Sequence, residues 1–307
     1  MRGLLFPGQG SQSVGMAQDL YERFDAARET IDRADEVLGF SLSRLMFSGP
    51  PEQLQETRHA QPAILTHSIA VWRSLEMADP TSRDWVAAGH SLGEYSAYVA
   101  AGALAFEDAV GLVHRRGELM FAAGQARPGT MAAVLGSDPD TVRDVCAATA
   151  GTVVPANLNS PGQLVISGEE AAVAAAGETL RARGAKRVIP LRVSGAFHSP
   201  LMEPAVEGLR AALAEVTIQP AGFPVYANAS AAAVVEPEAI RQSLLDQLRQ
   251  PVLWEPTVRE LGALEPEEFW EVGPGQVLKG LVRAIDRTWT CRPLGTADEV
   301  TAFNAER

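Results

Sequence analysis

The chain has 307 residues, is 46% hydrophobic and carries a formal net charge of −12. Such a chain can bury the core of one large domain with an insertion, or of two domains. The negative charge argues against a nucleic-acid surface, because a phosphate backbone would be repelled. No apolar run approaches the roughly 18 residues of a membrane span, and the apolar start is too short for a signal peptide, so we expect a cytoplasmic protein without membrane contact.

Metal and disulfide chemistry are not expected. The two cysteines, Cys146 and Cys291, lack the spacing of a metal site and cannot staple a chain of this size. We predict that both are reduced and structural.

The first elements are a strand at residues 3–6 and a glycine-rich loop at residues 7–12. The loop fits either a close approach to a ligand or a plain turn from strand to helix. Residues 16–45 follow a helical pattern. A further helix is predicted to begin at Gln61 and Pro62, with the proline in its first turn, and leads to an apolar strand that starts at Trp85.

That strand breaks into Gly89-x-Ser91-x-Gly93. A strand that turns sharply into a helix lifts the hydroxyl at the turn clear of the sheet, and glycines on both sides avoid collisions. Ser91 is therefore a candidate nucleophile, and the Leu92 N–H points where an oxyanion would form. The alternative is a serine in an ordinary turn. For His90, packing or a place on the cleft wall is favoured over catalysis.

An arginine interrupts the apolar face of the next helix, predicted at residues 106–123. Arg116 lies three or four residues from the members of the apolar stripe, which are Leu112, Val113, Leu119 and Met120. A buried guanidinium without an anion costs several kcal/mol. Its partner is either a carboxylate of the protein or the substrate.

Residues 126–195 follow a different pattern, with the order βαββαβ. The predicted strands are 130–136, 153–158, 163–168 and 186–193, and the helices are 138–150 and 169–183. This order is ferredoxin-like. We predict a small domain of residues 126–195 inserted into a discontinuous large domain of residues 1–125 and 196–307.

The chain returns to the large domain through His198, just before a helix that Ser199 and Pro200 begin. The positive end of that helix disfavours imidazolium and keeps the ring neutral, as a general base requires. Further on we predict a strand at 224–227, a helix at 237–248 and a strand at 268–272, with residues 273–275 opening the last helix.

Seven short motifs, taken in order, resemble those of the malonyl-CoA:acyl carrier protein transacylases, and the chain is similar to the acyltransferase domains of polyketide synthases. The motifs are Phe6-Pro7-Gly8-Gln9-Gly10-Ser11-Gln12, Gln61-Pro62-Ala63, Gly89-His90-Ser91-Leu92-Gly93-Glu94, Arg116-Gly117, Asn159-Ser160-Pro161-Gly162-Gln163, Ala196-Phe197-His198-Ser199 and Gly273-Pro274-Gly275.

The resemblance implies an α/β fold, with an α/β-hydrolase-like large domain, a ferredoxin-like small domain and an active site between them. Ser91 then attacks the malonyl thioester and His198 carries the proton. The backbone N–H groups of Gln9 and Leu92 hold the oxyanion. A backbone carbonyl orients the histidine in place of an acid, and we assign it to Gln250, because the following proline restrains that residue and has no N–H of its own.

The resemblance also implies the acyl group. Arg116 would take the free carboxylate of malonate as a bidentate pair. Phe197 matches the residue that accompanies malonyl selection in the acyltransferase relatives. Gln61, Asn159 and Val277 are expected to line the pocket by resemblance only.

The expected substrates are malonyl-CoA and acyl carrier protein, with no metal or redox cofactor, and a monomer is expected. Two basic clusters are candidate docks for the acidic carrier or simply solvated faces: Lys279, Arg283 and Arg287, and the group Arg181, Arg183, Lys186 and Arg187. Three alternatives stay open, namely a discrete acyltransferase of polyketide synthesis, a serine thioesterase or esterase, and an inactive docking module.

Overall fold

The computed structural model describes residues 1–76, 79 and 84–306, and its strands form two sheets. The first has the order β10-β9-β1-β2-β7-β8, with parallel pairing except between the last two strands. The second has the order β4-β5-β3-β6 and is antiparallel throughout. The strands are β1 Arg2–Phe6, β2 Trp85–Gly89, β3 Thr130–Leu135, β4 Val153–Ser160, β5 Gln163–Gly168, β6 Arg187–Pro190, β7 Val225–Tyr226, β8 Ala233–Val234, β9 Phe269–Val272 and β10 Cys291–Leu294.

Helices cover both faces of the six-stranded sheet and one apolar core lies on each side of it. The helices are α1 Gln18–Arg23, α2 Asp25–Leu38, α3 Leu42–Ser48, α4 Pro51–Gln55, α5 Thr57–Ser74, α6 Gly93–Ala100, α7 Phe106–Ala126, α8 Pro139–Ala148, α9 Glu170–Ala182, α10 Glu203–Ala214, α11 Pro237–Asp246, α12 Trp254–Gly262, α13 Val277–Ile285 and α14 Ala297–Ala305. Among the described residues, no helix has the length and apolarity to cross a membrane.

The antiparallel sheet has a core of its own. Val134, Leu164 and Ile166 on its strands pack with Val142 of α8 and Leu180 of α9. The element order over residues 130–190 is βαββαβ, as predicted. The edge strand β4 is joined to the other part of the chain by backbone hydrogen bonds. Val252 N–H donates to Ala156 O at 2.8 Å, and Leu158 N–H donates to Val252 O at 2.9 Å. A cleft between the two sheets is lined by residues that follow β1 and β2 and by residues of β3, β4 and β5.

Several predicted boundaries are wrong. The single helical region at residues 16–45 is three helices, because Gly39 ends α2 in a left-handed conformation, with φ 70°, and Ser41 then caps α3. The helix predicted to begin at Gln61 begins at Thr57, so Pro62 lies inside α5. Proline has no N–H for the Arg58 carbonyl one turn earlier, and the His114 ring donates to that oxygen instead at 3.0 Å.

The C-terminal prediction also falls short, because α13 is not the last helix. Strand β10 and α14 follow it. Thr296 and Glu299 form a capping box at the start of α14. Both cysteines are free, as predicted, with Cys146 buried and Cys291 partly buried.

Candidate active site

Ser91 stands at the tight turn between β2 and α6, with a left-handed φ of 50°. Its flanking glycines are required by contact. A Cβ on Gly89 would lie 1.8 Å from the Gly93 carbonyl carbon, and one on Gly93 would lie 2.1 Å from Phe6 O. The Ser91 N–H donates to the Asn228 side chain at 2.7 Å, which fixes the turn. The serine side chain is therefore presented to the cleft by backbone strain and close packing.

His198 meets this serine from the segment that returns after β6. Its Nε2 lies 2.8 Å from Ser91 Oγ. The residue itself is left-handed, with φ 56°, and Ser199 caps the short 3₁₀ turn Pro200–Met202 that follows. On the other side of the ring, Nδ1 donates to the Gln247 carbonyl oxygen at 2.7 Å. Because a carbonyl only accepts, Nδ1 carries the proton and Nε2 is free to accept from the serine.

The environment keeps His198 neutral. Burial and, to a lesser extent, the nearby Arg116 cation lower the pKa of its imidazole to about 3, although the hydrogen bond to the Gln247 carbonyl opposes both effects. A neutral ring is the form that can remove the hydroxyl proton of Ser91.

The carbonyl that orients His198 belongs to Gln247, so the assignment to Gln250 is wrong. Gln247 follows the last residue of α11, where helical carbonyls have no partner within the helix. The Gln250 carbonyl has only a lesser upward effect on the histidine pKa. The proline after Gln250 restrains the chain, but the end of α11 determines which oxygen faces the ring.

Arg116 lies on α7 with 1% of its surface exposed. Its Nη1 donates to Gln61 Oε1 at 2.7 Å, and its Nη2 donates to Gln247 Oε1 at 2.8 Å and to Ser91 Oγ at 3.3 Å. The guanidinium carbon lies 5.6 Å from the Tyr95 ring centre. Within the described part of the chain its Nε–H has no partner, and no carboxylate forms an ion pair with it.

The chain therefore gives Arg116 amide partners rather than an anion. Gln61 is one of them, held in turn by a 2.9 Å hydrogen bond from its Nε2 to Thr57 Oγ1. Gln61 is fully buried behind the guanidinium rather than on the cavity wall.

Sequence analysis missed a buried carboxylate behind this group. Glu94 is fully buried on the first turn of α6. It accepts hydrogen bonds from Gln247 Nε2 at 2.7 Å, Asn228 N at 3.0 Å and Ser243 Oγ at 3.3 Å. Burial raises the pKa of this carboxyl, these hydrogen bonds and the Arg116 charge oppose that effect, and the resulting pKa is about 7. The sequence signal for this carboxylate was an acidic residue in the short, apolar helix α6, which follows the elbow, the tight turn at Ser91 between β2 and α6.

The loop at residues 7–12 packs directly on the elbow, which favours the ligand-approach interpretation over the plain turn. A Cβ on Gly8 would lie 2.2 Å from His90 O. Gln9 and Leu92 both line the cavity beside Ser91. In the described chain neither backbone N–H has a hydrogen-bond partner, so both are available to an oxyanion. The Gln9 side chain is held by a hydrogen bond from Thr57 Oγ1 at 3.0 Å.

A cavity of about 260 Å³ connects these groups. Phe197 and Asn159 line it, and Val277, 53% exposed, lies on its rim. Asn159 Oδ1 accepts from His90 Nε2 at 2.9 Å, and the His90 ring lies 5.3 Å from the Trp254 ring, so His90 lies on the cleft wall as expected. Apolar side chains complete the lining, namely Met120, Met131, Val165, Leu191, Val193, Leu278 and Leu281.

An α/β fold with a serine on a strained elbow, a neutral histidine beside it and two free N–H groups defines the class of enzymes that transfer acyl groups through serine. Residues 4–300 match the acyl transferase domain family. Malonyl CoA-acyl carrier protein transacylase of Bacillus subtilis is 49% identical over 286 residues, which cover 92% of this chain and 90% of the relative.

Solved structures give the same result. An acyl carrier protein S-malonyltransferase from Vibrio cholerae superposes with a TM-score of 0.93 at 41% identity, over 98% of this chain and 99% of that one. A malonyl-transacylase in complex with its type II PKS acyl-carrier protein superposes with a TM-score of 0.94 at 38% identity, over 100% of this chain and 99% of that one. The chain belongs to the acyl transferase family, among the malonyl CoA-acyl carrier protein transacylases.

Proposed function

We propose that this acyltransferase moves the malonyl group from malonyl-CoA to the phosphopantetheine thiol of acyl carrier protein through a malonyl ester of Ser91. The observation that carries the proposal is Arg116, a buried cation without an anionic partner in the described chain, whose Nη2 lies 3.3 Å from Ser91 Oγ. A malonyl group bound to Ser91 would bring its free carboxylate to that cation.

In the first half-reaction His198 Nε2 takes the proton of Ser91 as Oγ attacks the thioester carbon. A C–O bond forms and the carbonyl oxygen becomes an oxyanion, which the N–H groups of Gln9 and Leu92 would hold. The carbonyl then reforms, the C–S bond breaks, and the proton passes from His198 to the CoA sulfur. The product is malonyl-Ser91 and free CoA.

The second half-reaction runs these steps in reverse with a different thiol. The carrier thiol gives its proton to His198 and its sulfur attacks the ester carbon. The C–O bond to Ser91 breaks, and Oγ recovers the proton from the imidazolium. Serine and histidine end as they began, so we propose that the reaction needs no metal or redox cofactor.

Arg116 would select the acyl group. A carboxylate can take paired hydrogen bonds from the planar guanidinium. An acetyl group leaves that buried cation without an anion, and a site built to pair a polar group can reject analogues that lack it by about 10⁴-fold. Phe197 closes the wall beside the histidine, and we propose that it favours malonyl over branched acyl groups.

We propose that the two sheets belong to an α/β-hydrolase-like large domain, of residues 1–125 and 196–307, and a ferredoxin-like small domain, of residues 126–195. The separate core of the antiparallel sheet and its strand order support this division. A monomer is proposed as well, and light scattering on the purified protein would test it.

The carrier dock that we favour is the outer face of α13 and the turn after it, with Lys279 and Arg283 on the helix and Arg287 just beyond its end. All three are exposed and, within the described chain, none forms an ion pair. The same helix carries Val277 and Leu278, which line the cavity. Reversing the charge of Arg283 should raise KM for the carrier protein and leave KM for malonyl-CoA unchanged, and no change in either value would exclude this face.

Intact-mass measurement after mixing with malonyl-CoA tests the proposal. We expect an adduct of about +86 Da on Ser91 that persists until carrier protein is added. Rapid release of CoA without an adduct or an acceptor would instead support a thioesterase. The likeness to the malonyl-transacylase of a type II polyketide system favours one second candidate, a discrete acyltransferase of polyketide synthesis. A preference for that pathway's carrier over the fatty-acid carrier would support it.

A further inference from the structure

One residue, Gln247, contacts Arg116, Glu94, His198 and the backbone of Ser91. The fully buried Gln247 follows α11. Its carbonyl accepts from His198 Nδ1 at 2.7 Å, and its Oε1 accepts from Arg116 Nη2 at 2.8 Å. Its Nε2 donates to Ser91 O at 3.0 Å and to Glu94 Oε2 at 2.7 Å. Each polar atom of the amide therefore has a partner, and the amide has one allowed orientation.

Glu94 decides that orientation. Its carboxylate only accepts hydrogen bonds, so the amide nitrogen of Gln247 must face it and the amide oxygen must face Arg116. The opposite orientation would point two N–H groups at the guanidinium and an oxygen at the carboxylate. Asn228 N–H and Ser243 Oγ fix the carboxylate itself.

The same carboxylate supplies a negative charge to the site. Burial lowers the pKa of Arg116, and Tyr95 and the Glu94 charge raise it. The intervening amide prevents a direct ion pair, and the guanidinium thereby remains available to a ligand. When His198 takes the serine proton, a second cation forms beside Arg116 in a buried site, and charges interact strongly there.

We propose that Glu94 is a positioning residue of the transferase, which aligns Arg116 through the Gln247 side-chain amide and His198 through the backbone carbonyl of the same residue, and offsets the imidazolium charge that forms during acyl transfer. This inference rests on the proposed function. It concerns a residue that touches neither the acyl group nor the reacting atoms, and it predicts that a charge on Glu94 matters for the chemical step.

The charge on Glu94 should be visible in the pH dependence of that step. Burial raises the pKa of Glu94 to about 7. The ionisable groups that face it or His198 are Arg116, Tyr95, Tyr98 and His90. Burial lowers the pKa of His198 to about 3 and that of His90 below its usual value. Burial also raises the pKa of both tyrosines, and the arginine keeps its charge.

Glu94 is thus the group among these that changes charge near neutral pH. It loses its negative charge as the pH falls through about 7, and the imidazolium then loses its counter-charge. The rate of malonyl-Ser91 formation in the unaltered enzyme should fall about tenfold between pH 8 and pH 6.

The test is Glu94→Gln, followed by rapid-quench measurement of malonyl-Ser91 formation from pH 5 to pH 8.5. A glutamine can keep every hydrogen bond, with its oxygen at Oε2 and its amide nitrogen toward the Ser243 hydroxyl, so only the charge is removed. We expect a rate about tenfold lower at pH 8 and flat down to pH 5. Glu94→Asp keeps the charge and should keep a pH-dependent rate.

The matched control is Glu271→Gln. Glu271 is another fully buried carboxylate, which accepts the N–H groups of Leu278 and Lys279 at the start of α13 and contacts neither Arg116 nor His198. This variant should lose stability and keep the shape of the pH profile.

The outcomes distinguish a failure of the proposed function from a failure of the proposed role of Glu94. If the unaltered enzyme forms no acyl adduct, the proposed function fails. If it does form the adduct but its rate is flat between pH 6 and pH 8, or Glu94→Gln keeps the unaltered profile, the role of Glu94 is overturned and the function stands. The pH dependence of the unaltered enzyme is measured without any variant, so this criterion applies even if Glu94→Gln does not fold.

Discussion

The two walls of the cleft differ in chemistry. The wall beside the parallel sheet carries Ser91 and Arg116, with Gln247 and Glu94 buried behind them, and hydrogen bonds of 2.7–3.3 Å join these residues. In the described chain, the wall contributed by the antiparallel sheet and residues 191–193 has no charged side chain lining the cavity: it is lined by apolar residues and uncharged amides, namely Met131, Val165, Leu191, Val193, Asn157, Asn159 and Gln163. The first wall holds charges in fixed directions, and the second shapes the space. Reaction and fit are therefore separable here, and substitutions should affect one or the other.

The largest effect is expected from Ser91→Ala on the polar wall. Without the hydroxyl no acyl ester forms, and transfer should fall by at least about 10⁴-fold. Alanine at the same left-handed turn is little different in strain, so the melting temperature should change little. The measurement is transfer of labelled malonyl together with intact mass. An adduct on the variant would place the nucleophile elsewhere.

Next comes Arg116→Ala, assayed with malonyl-CoA and acetyl-CoA side by side. We expect the preference for malonyl to fall by about 10²- to 10³-fold, because only that substrate has a carboxylate for the guanidinium. The control is Arg115→Ala, the exposed neighbour that pairs with Glu118. Equal losses with both substrates would remove Arg116 as the carboxylate anchor.

Gln247→Leu should have an intermediate effect. It removes the amide that holds Arg116 and leaves the carbonyl that orients His198, so we expect kcat to fall by about 10- to 100-fold through misplacement of the cation. Gln250→Ala is the control, because it removes a nearby glutamine side chain that does not hydrogen-bond Arg116, and it should cost less than about threefold. If Gln250→Ala lowers kcat more than Gln247→Leu does in a steady-state assay, the Gln247 amide does not hold Arg116 for the reaction.

The smallest effect on activity is expected on the apolar wall. The Met131 side chain is only 4% exposed. Met131→Ala leaves a cavity in its place and should reduce the free energy of unfolding by about 2–4 kcal/mol. The ratio of malonyl to acetyl transfer should stay within about threefold, since no charge or hydrogen bond is lost. Chemical denaturation and the same paired assay measure both quantities. A large change in that ratio would mean that this wall also selects the acyl group.

The sequence predicted best what depends on local chemistry. The elbow follows from two glycines that leave no room for a Cβ, and the small βαββαβ unit follows from alternating patterns with clear turns. The predicted helix boundaries near Gly39 and Pro62 were wrong. A left-handed cap at Gly39 ends one helix, and the His114 ring N–H satisfies the carbonyl that Pro62 leaves free in the other.

The site residues that have a single role were predictable from the sequence. Ser91, His198 and Arg116 stand out by type and position. The Gln247 carbonyl was three residues from the predicted one, since the end of α11 could not be located closely enough. The role of Glu94 depends on contacts with Asn228, Ser243 and Gln247, which are 134 to 153 residues away along the chain. No spacing within the sequence encodes such a meeting.

The two backbone hydrogen bonds between Val252 and strand β4 bear on how thiols are exchanged. They join the antiparallel sheet to the segment just after Gln247, so opening the cleft at this point would move the Gln247 carbonyl away from His198. In the proposed reaction we therefore expect the coenzyme and the carrier arm to pass the rim at Val277 without wide opening of the cleft. A narrow, flexible phosphopantetheine arm fits such an opening better than a bulky acceptor would.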